Sequence, residues 1–222
     1  LAVDGEVSPV GGADANGKAV GLDVELLDAI ARDQNFRYEL RPSDWDTAMS
    51  VFTSHQAQVL MGSIASSQER IDGGWFFSHS FYNGVTQSMA MEPSSDTNTL
   101  EDLAGKAVAV VSGTLGAAYA ESVKDKYGFS IATFSDSHSM YAAVLEGRAA
   151  ACFEDTPALR DSIAGGVALE LVPGSEGAAS DYCVAICDEK DRPFLELFNQ
   201  GLANIRANGI YDAILAKYAD TL

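Results

Sequence analysis

A chain of 222 residues, 47% hydrophobic and 21% charged, is long enough to bury one large core or two smaller ones. Its 32 acidic residues against 14 basic ones give a formal net charge of -18. That balance disfavours nucleic acid and anionic membrane surfaces as partners, since both are held by clustered Lys and Arg. No apolar run approaches the ~18–20 residues a membrane helix needs, and the chain starts at Leu1 with neither an initiator Met nor a charged-then-apolar leader, which leaves export open.

In chain order, the first motif is Gly12-Ala13-Asp14-Ala15-Asn16-Gly17-Lys18-Ala19. It matches most of a phosphate-binding loop but ends in Ala19, without the hydroxyl that would ligate Mg²⁺, so it reads as an ordinary turn. Periodicity then predicts a helix over 23–32, a strand over 36–41, a helix over 46–54, a strand over 58–61 and a short helix from Ser67. An alternating run over 85–91 leads into the polar, turn-rich 92–98, a composition shift that suggests a crossing between lobes. A second series follows: strands over 107–111, 130–134 and 150–153, each followed by a helix, over 115–126, 137–147 and 156–164. Strands over 168–172 and 182–186 and helices over 193–208 and 211–219 complete the chain. Such alternation predicts an α/β fold with parallel sheets, divided into one lobe of 1–84 and 181–222 and another of 85–180. Ligands in such sheets bind beyond the carboxyl ends of the strands.

Three strand-to-loop junctions carry the candidate chemistry. Gly62-Ser63-Ile64-Ala65-Ser66-Ser67-Gln68-Glu69-Arg70 follows the apolar Val59-Leu60-Met61. Its glycine and hydroxyl residues leave backbone groups available, and Arg70 offers a planar fork that grips a carboxylate. The plain alternative is an exposed helical arginine. Gly113, Thr114 and Leu115 form a helix start whose N–H groups attract an anion or simply accept a cap. Asp155, after Phe153-Glu154, reads either as the cap of the next helix or as a carboxylate that receives an ammonium. Trp45, ahead of its helix, is core or the floor of a pocket.

Other chemistry finds little support. Cys152, Cys183 and Cys187 are an odd set, and the last two, four apart on one predicted strand, sit about 13 Å from each other. They are read as buried small hydrophobes. His55, His79 and His138 are widely spaced and suggest no metal. There is no GxSxG elbow, and neither Ser112 nor the Ser66–Ser67 pair has a general base identifiable from sequence. No cofactor and no catalytic residue is expected.

The cassettes together resemble family 3 of the extracellular solute-binding proteins, the type II periplasmic binding proteins of polar amino-acid transporters, over nearly the whole chain. Gly17-Lys18-Ala19-Val20-Gly21-Leu22-Asp23-Val24-Glu25-Leu26-Leu27 is similar to the family's "GkxxGFDvDLl". Ser67-Gln68-Glu69-Arg70 with Phe77-Ser78 is similar to "TpeR…FS.PY", Leu103-Ala104-Gly105-Lys106-Ala107-Val108-Ala109-Val110 to "LkGKkvgV", and 197–218 to its closing "dG.y..i..KY". The resemblance implies a bilobal type II fold with hinges near Val85 and Tyr182. It implies that Arg70, with N–H groups near Ala65 and Thr114, holds a ligand's α-carboxylate. Asp155, with Gly62 or Ser63, holds its α-ammonium, and Trp45 walls the side chain. The implied protein is an extracytoplasmic monomer that binds an amino acid or similar zwitterion and serves an ABC permease or a fused signalling module. An enzyme resembling cyclohexadienyl dehydratases is the remaining alternative, with Glu69, Glu154 or Asp155 as general acid. The chain departs from the family pattern in Val7-Ser8-Pro9-Val10, where an aromatic-Pro-Phe element is usual, and at Ala65, Ser80 and Ala150.

Overall fold

The computed structural model describes residues 18–219, together with the backbone of 2–4 and 12–13. Residues 14–17 of the glycine-rich loop and the Val7–Val10 stretch lie outside the described residues, as does the side chain of Ala13. Two units emerge: the first comprises the described residues up to Gly84 and from Ser180 onward, the second Val85–Ala179.

The first unit opens with β1 (Ala2–Asp4), the small antiparallel pair β2 (Gly12–Ala13) and β3 (Ala19–Val20), and α1 (Leu22–Asp33). Leu22, Leu26 and Ile30, spaced by four, with Leu27, form a fully buried face of α1, each contributing roughly 1.5–3 kcal/mol. β4 (Arg41–Ser43), α2 (Trp45–Thr53), β5 (Leu60–Met61), α3 (Gln68–Asp72) and β6 (Phe76–Phe77) follow. The expected strand over 36–41 therefore starts at its last residue. Asp44 ends it by capping α2, accepting a hydrogen bond from Thr47 N at 2.8 Å.

The second unit holds most of β7 (Tyr82–Met91), then β8 (Ala107–Val111), α4 (Leu115–Tyr127), β9 (Ser130–Phe134), α5 (Ser137–Leu145), β10 (Ala151–Asp155), α6 (Thr156–Ala164) and β11 (Glu170–Leu171). β12 (Gly177–Tyr182) carries the chain back, and β13 (Ala185–Ile186), α7 (Arg192–Ala207) and α8 (Ile210–Leu215) complete the first unit. The predicted strand over 182–186 is split between β12 and β13. Cys183 and Cys187 thus do not share one strand face. The polar 92–98 segment lies wholly inside the second unit; the passages between units fall within β7 and β12.

The first sheet runs β4-β1-β5-β13-β6, with β1 parallel to β4 and β5, and β13 antiparallel to its neighbours. The second runs β11-β7-β10-β8-β9; β10, β8 and β9 are parallel, and β7 is antiparallel to β10. The α/β reading of the alternation holds, but the sheets are mixed rather than parallel, because β7 and β13 enter them in the antiparallel sense. In the second core Met89, Val108, Val110, Ala151 and Phe153 pack together, and Tyr119 meets Phe153 edge-on at 5.1 Å. In the first, Gly201 lets α7 approach α1, because a β-carbon there would stand 2.7 Å from Ile30 Cγ2. Among the described residues no helix is long and apolar enough to cross a membrane.

Candidate functional site

The candidate residues fall into two groups, one in each unit. In the first, β5 ends at Met61 and the backbone turns through positive φ at both Gly62 (112°) and Ser63 (53°). Glycine adopts this freely, whereas Ser63 is a non-glycine residue in the left-handed region. Ser63 Oγ is buried without a hydrogen-bond partner. Ile64, fully buried, accepts a hydrogen bond from Cys183 N at 2.6 Å, and Ala65 bridges to Tyr182. The loop thus behaves as a partner to the chain at 182–183 before Ser67 caps α3, accepting from Arg70 N at 3.2 Å.

Arg70 is gripped on several sides. Its Nη1 donates to Ala65 O at 2.7 Å, and its guanidinium carbon lies 5.8 Å from the Trp45 ring centre and 5.3 Å from that of Trp75. Trp75 in turn packs edge-on against Phe52 at 4.8 Å. These contacts narrow the conformational freedom of a side chain otherwise rich in rotamers. Trp45 itself is buried at 7% exposure, so it supports Arg70 from the core side. Trp75 was invisible to sequence reasoning; its only signal was a large ring five residues beyond the arginine, after Gly73-Gly74.

In the second unit β8 ends at Val111, Gly113 takes φ of 71°, and Thr114 caps α4. The Thr114 hydroxyl donates to Val111 O at 2.7 Å and accepts from Ala117 N at 3.3 Å, so Thr114 does cap α4. Leu115 begins the helix, half-buried. One residue later, a β-carbon on Gly116 would stand 2.6 Å from Phe153 O, so only glycine lets the start of α4 lie this close to β10. That closeness draws the Gly113–Leu115 turn toward the strand that ends in Asp155.

Asp155 makes no side-chain cap of α6, and the capping alternative is not realised. Its Oδ1 instead accepts a hydrogen bond from Gln87 Nε2, the residue opposite it in register. The next residue, Thr156, is locked by Thr86 Oγ1 at 2.8 Å and Ser88 Oγ at 2.6 Å, and donates to Thr86 O at 2.8 Å. Glu154, on the other strand face, accepts from Tyr141 OH at 2.7 Å and Ser137 Oγ at 3.3 Å. Burial, then the nearby Glu154, pushes the Tyr141 hydroxyl well above its ordinary range.

Two of the three cysteines are buried as expected, and burial raises both thiols, Cys183 to about 11. Cys187 departs from that reading. It is half-buried, donates to Phe52 O at 3.2 Å and lies 3.5 Å from His55 Nδ1, so one histidine does meet a cysteine in space. Among the described residues no group of three or more metal-ligating side chains comes together.

The profile of the bacterial extracellular solute-binding proteins, family 3, matches residues 1–221. The chain belongs to this family. As a family 3 solute-binding protein it is similar, at 24% identity over 236 residues, to the lysine/arginine/ornithine-binding periplasmic protein of Escherichia coli (strain K12), covering 99% of this chain and 86% of that one. Among solved structures, the second substrate binding domain of a putative amino acid ABC transporter from Streptococcus pneumoniae is 33% identical with a TM-score of 0.66, covering 98% and 97% of the two chains. The arginine-, lysine-, histidine-binding protein ArtJ of Geobacillus stearothermophilus, 23% identical with a TM-score of 0.84 and coverage of 98% and 93%, shares the fold. The periplasmic-binding-protein-like fold expected of a family 3 member is the one found, and these relatives are named as binding proteins.

Proposed function

We propose that this protein captures an α-amino acid outside the cytoplasm and hands it to the permease of an ABC importer. Arg70 takes the α-carboxylate with the backbone around Ala65 and the Gly113–Leu115 turn, and Asp155 takes the α-ammonium with Gly62 and Ser63. The observation that carries this reading is the Arg70 guanidinium fixed between the Ala65 carbonyl and two indoles. A zwitterion leaving water needs both charges paired, and a preset cation lowers the entropy lost on pairing. The basic and imidazole-bearing amino acids named for the relatives make L-arginine, L-lysine, L-ornithine and L-histidine the first candidates, with L-cystine beside them. No reaction is assigned to the site, and the protein acts as a monomer.

The test is isothermal titration calorimetry of protein refolded free of carried-over ligand, against this panel and against keto-acid and amine counterparts. Saturable binding of an amino acid that both Arg70→Ala and Asp155→Ala abolish supports the assignment. Binding that survives both substitutions, or turnover of arogenate or prephenate, overturns it.

A further inference from the structure

Gln87 is completely buried in β7, yet it is polar and only half satisfied. Its Nε2 donates to Asp155 Oδ1, while Oε1 is buried with no hydrogen-bond partner. That oxygen lies 3.3 Å from where a β-carbon on Gly116 would stand, in the first turn of the thirteen-residue helix α4. A buried carbonyl lacking a donor is costly, and a strand position that needed only volume would be filled by Met or Leu.

The chemistry around the amide explains its direction. The start of α4 carries the positive end of the helix dipole, which attracts Oε1. The carboxylate of Asp155 attracts the NH₂ end. Turned over, the amide would set an oxygen against a carboxylate. Gln87 is therefore a directional link, polarised by α4 and aimed at Asp155. Its neighbours Thr86 and Ser88 meanwhile hold Thr156, so the backbone after Asp155 and its side chain are fixed from one strand.

We infer that Gln87 is the positioning residue for ammonium recognition: it sets the angle at which the Asp155 carboxylate meets the ligand's α-ammonium. The inference rests on the proposed function, and it predicts an effect confined to that ammonium. A residue that merely filled the core would weaken every ligand alike.

The experiment is calorimetry with the tightest binder among L-arginine, L-lysine and L-histidine, paired with its analogue lacking the α-ammonium: δ-guanidinovalerate, ε-aminocaproate or imidazolepropionate. Gln87→Met is expected to weaken the amino acid roughly tenfold and to leave the analogue within about twofold of the unaltered protein. Gln87→Asn, which keeps an amide but falls a methylene short of Asp155, is expected to show the same discrimination. In an Asp155→Asn background, Gln87→Met adds no further loss. Equal weakening of both ligands, no weakening, or additive losses in the double variant overturn the inference. An unaltered protein that binds none of these three, and neither L-ornithine nor L-cystine, overturns the proposed function and the inference with it.

Discussion

Trp75 is tied to Arg70 twice: its N–H donates to Arg70 O at 3.0 Å, and its ring centre lies 5.3 Å from the Arg70 guanidinium carbon. The backbone bond closes the short helix α3 just where the ring folds back over the charge. With Phe52 behind it, the ring is braced. Replacing Trp75 with Leu keeps bulk and removes the π face, a change worth about 1 kcal/mol at a partly exposed site. Amino-acid affinity measured by calorimetry is expected to fall about fivefold. Unchanged affinity would show that the Ala65 carbonyl and the Trp45 ring hold Arg70 without it.

Gly116 tests the approach of α4 to β10. Alanine is the better helix former by about 1 kcal/mol, so an open helix would be stabilised. Here the new carbon meets Phe153 O, a backbone atom that cannot rotate away. Gly116→Ala is expected to cost about 1–3 kcal/mol net and to lower the melting temperature by roughly 2–12 °C in scanning calorimetry. A higher melting temperature would mean that α4 stands off the strand.

Asp136 caps α5, accepting from Ser139 N at 2.6 Å and from Ser139 Oγ and Ser135 Oγ at 2.9 Å. The Ser139 backbone N–H, above all, holds its carboxyl below the ordinary range. A depressed carboxylate stabilises fully above its unfolded-state pKa and loses that contribution as pH falls through the folded value. Asp136→Ala is therefore expected to cost about 1 kcal/mol at neutral pH, with the gap to the unaltered protein closing below about pH 4. Melting curves of both proteins across that range check this; curves that stay parallel in acid would sink it.

The thiols differ in access. Cys152 and Cys183 are buried and Cys187 is half-exposed. A maleimide is expected to label Cys187 alone in native protein and all three cysteines in guanidinium. Because burial, then Asp188 and Asp191, raise the Cys187 thiol, native labelling should accelerate as pH rises past neutral. Mass spectrometry of the labelled peptides decides it, and native labelling of Cys152 would contradict the burial.

The legibility of the chain follows the range of the interactions. Arg70, Thr114 and Asp155 stand at strand-to-helix junctions, where composition and capping chemistry are local, so the sequence pointed at them. Gln87 faces Asp155 only through antiparallel register across 68 positions, and nothing local in Thr86-Gln87-Ser88 announces it. Trp75 was missed because a five-residue helix is too short for a periodic signal. The apolar run near 182–186 has the composition of one strand, yet pairing with Ala65 at one end and with Leu60 and Phe77 at the other breaks it in two. His55 and Cys187, 132 positions apart, met for the same non-local reason.

The place of β13 between β5 and β6 sets the order in which the protein becomes competent. Residues 85–179 are continuous in the chain, so on a ribosome that unit can close while the first sheet still lacks an inner strand. The loop before Arg70 takes its shape from Tyr182 and Cys183, more than a hundred residues later. At about 5–20 residues per second, the arginine waits on the order of ten seconds for its support. A nascent chain halted before Tyr182 holds every residue of the Arg70 cassette and neither of the two residues that shape its loop.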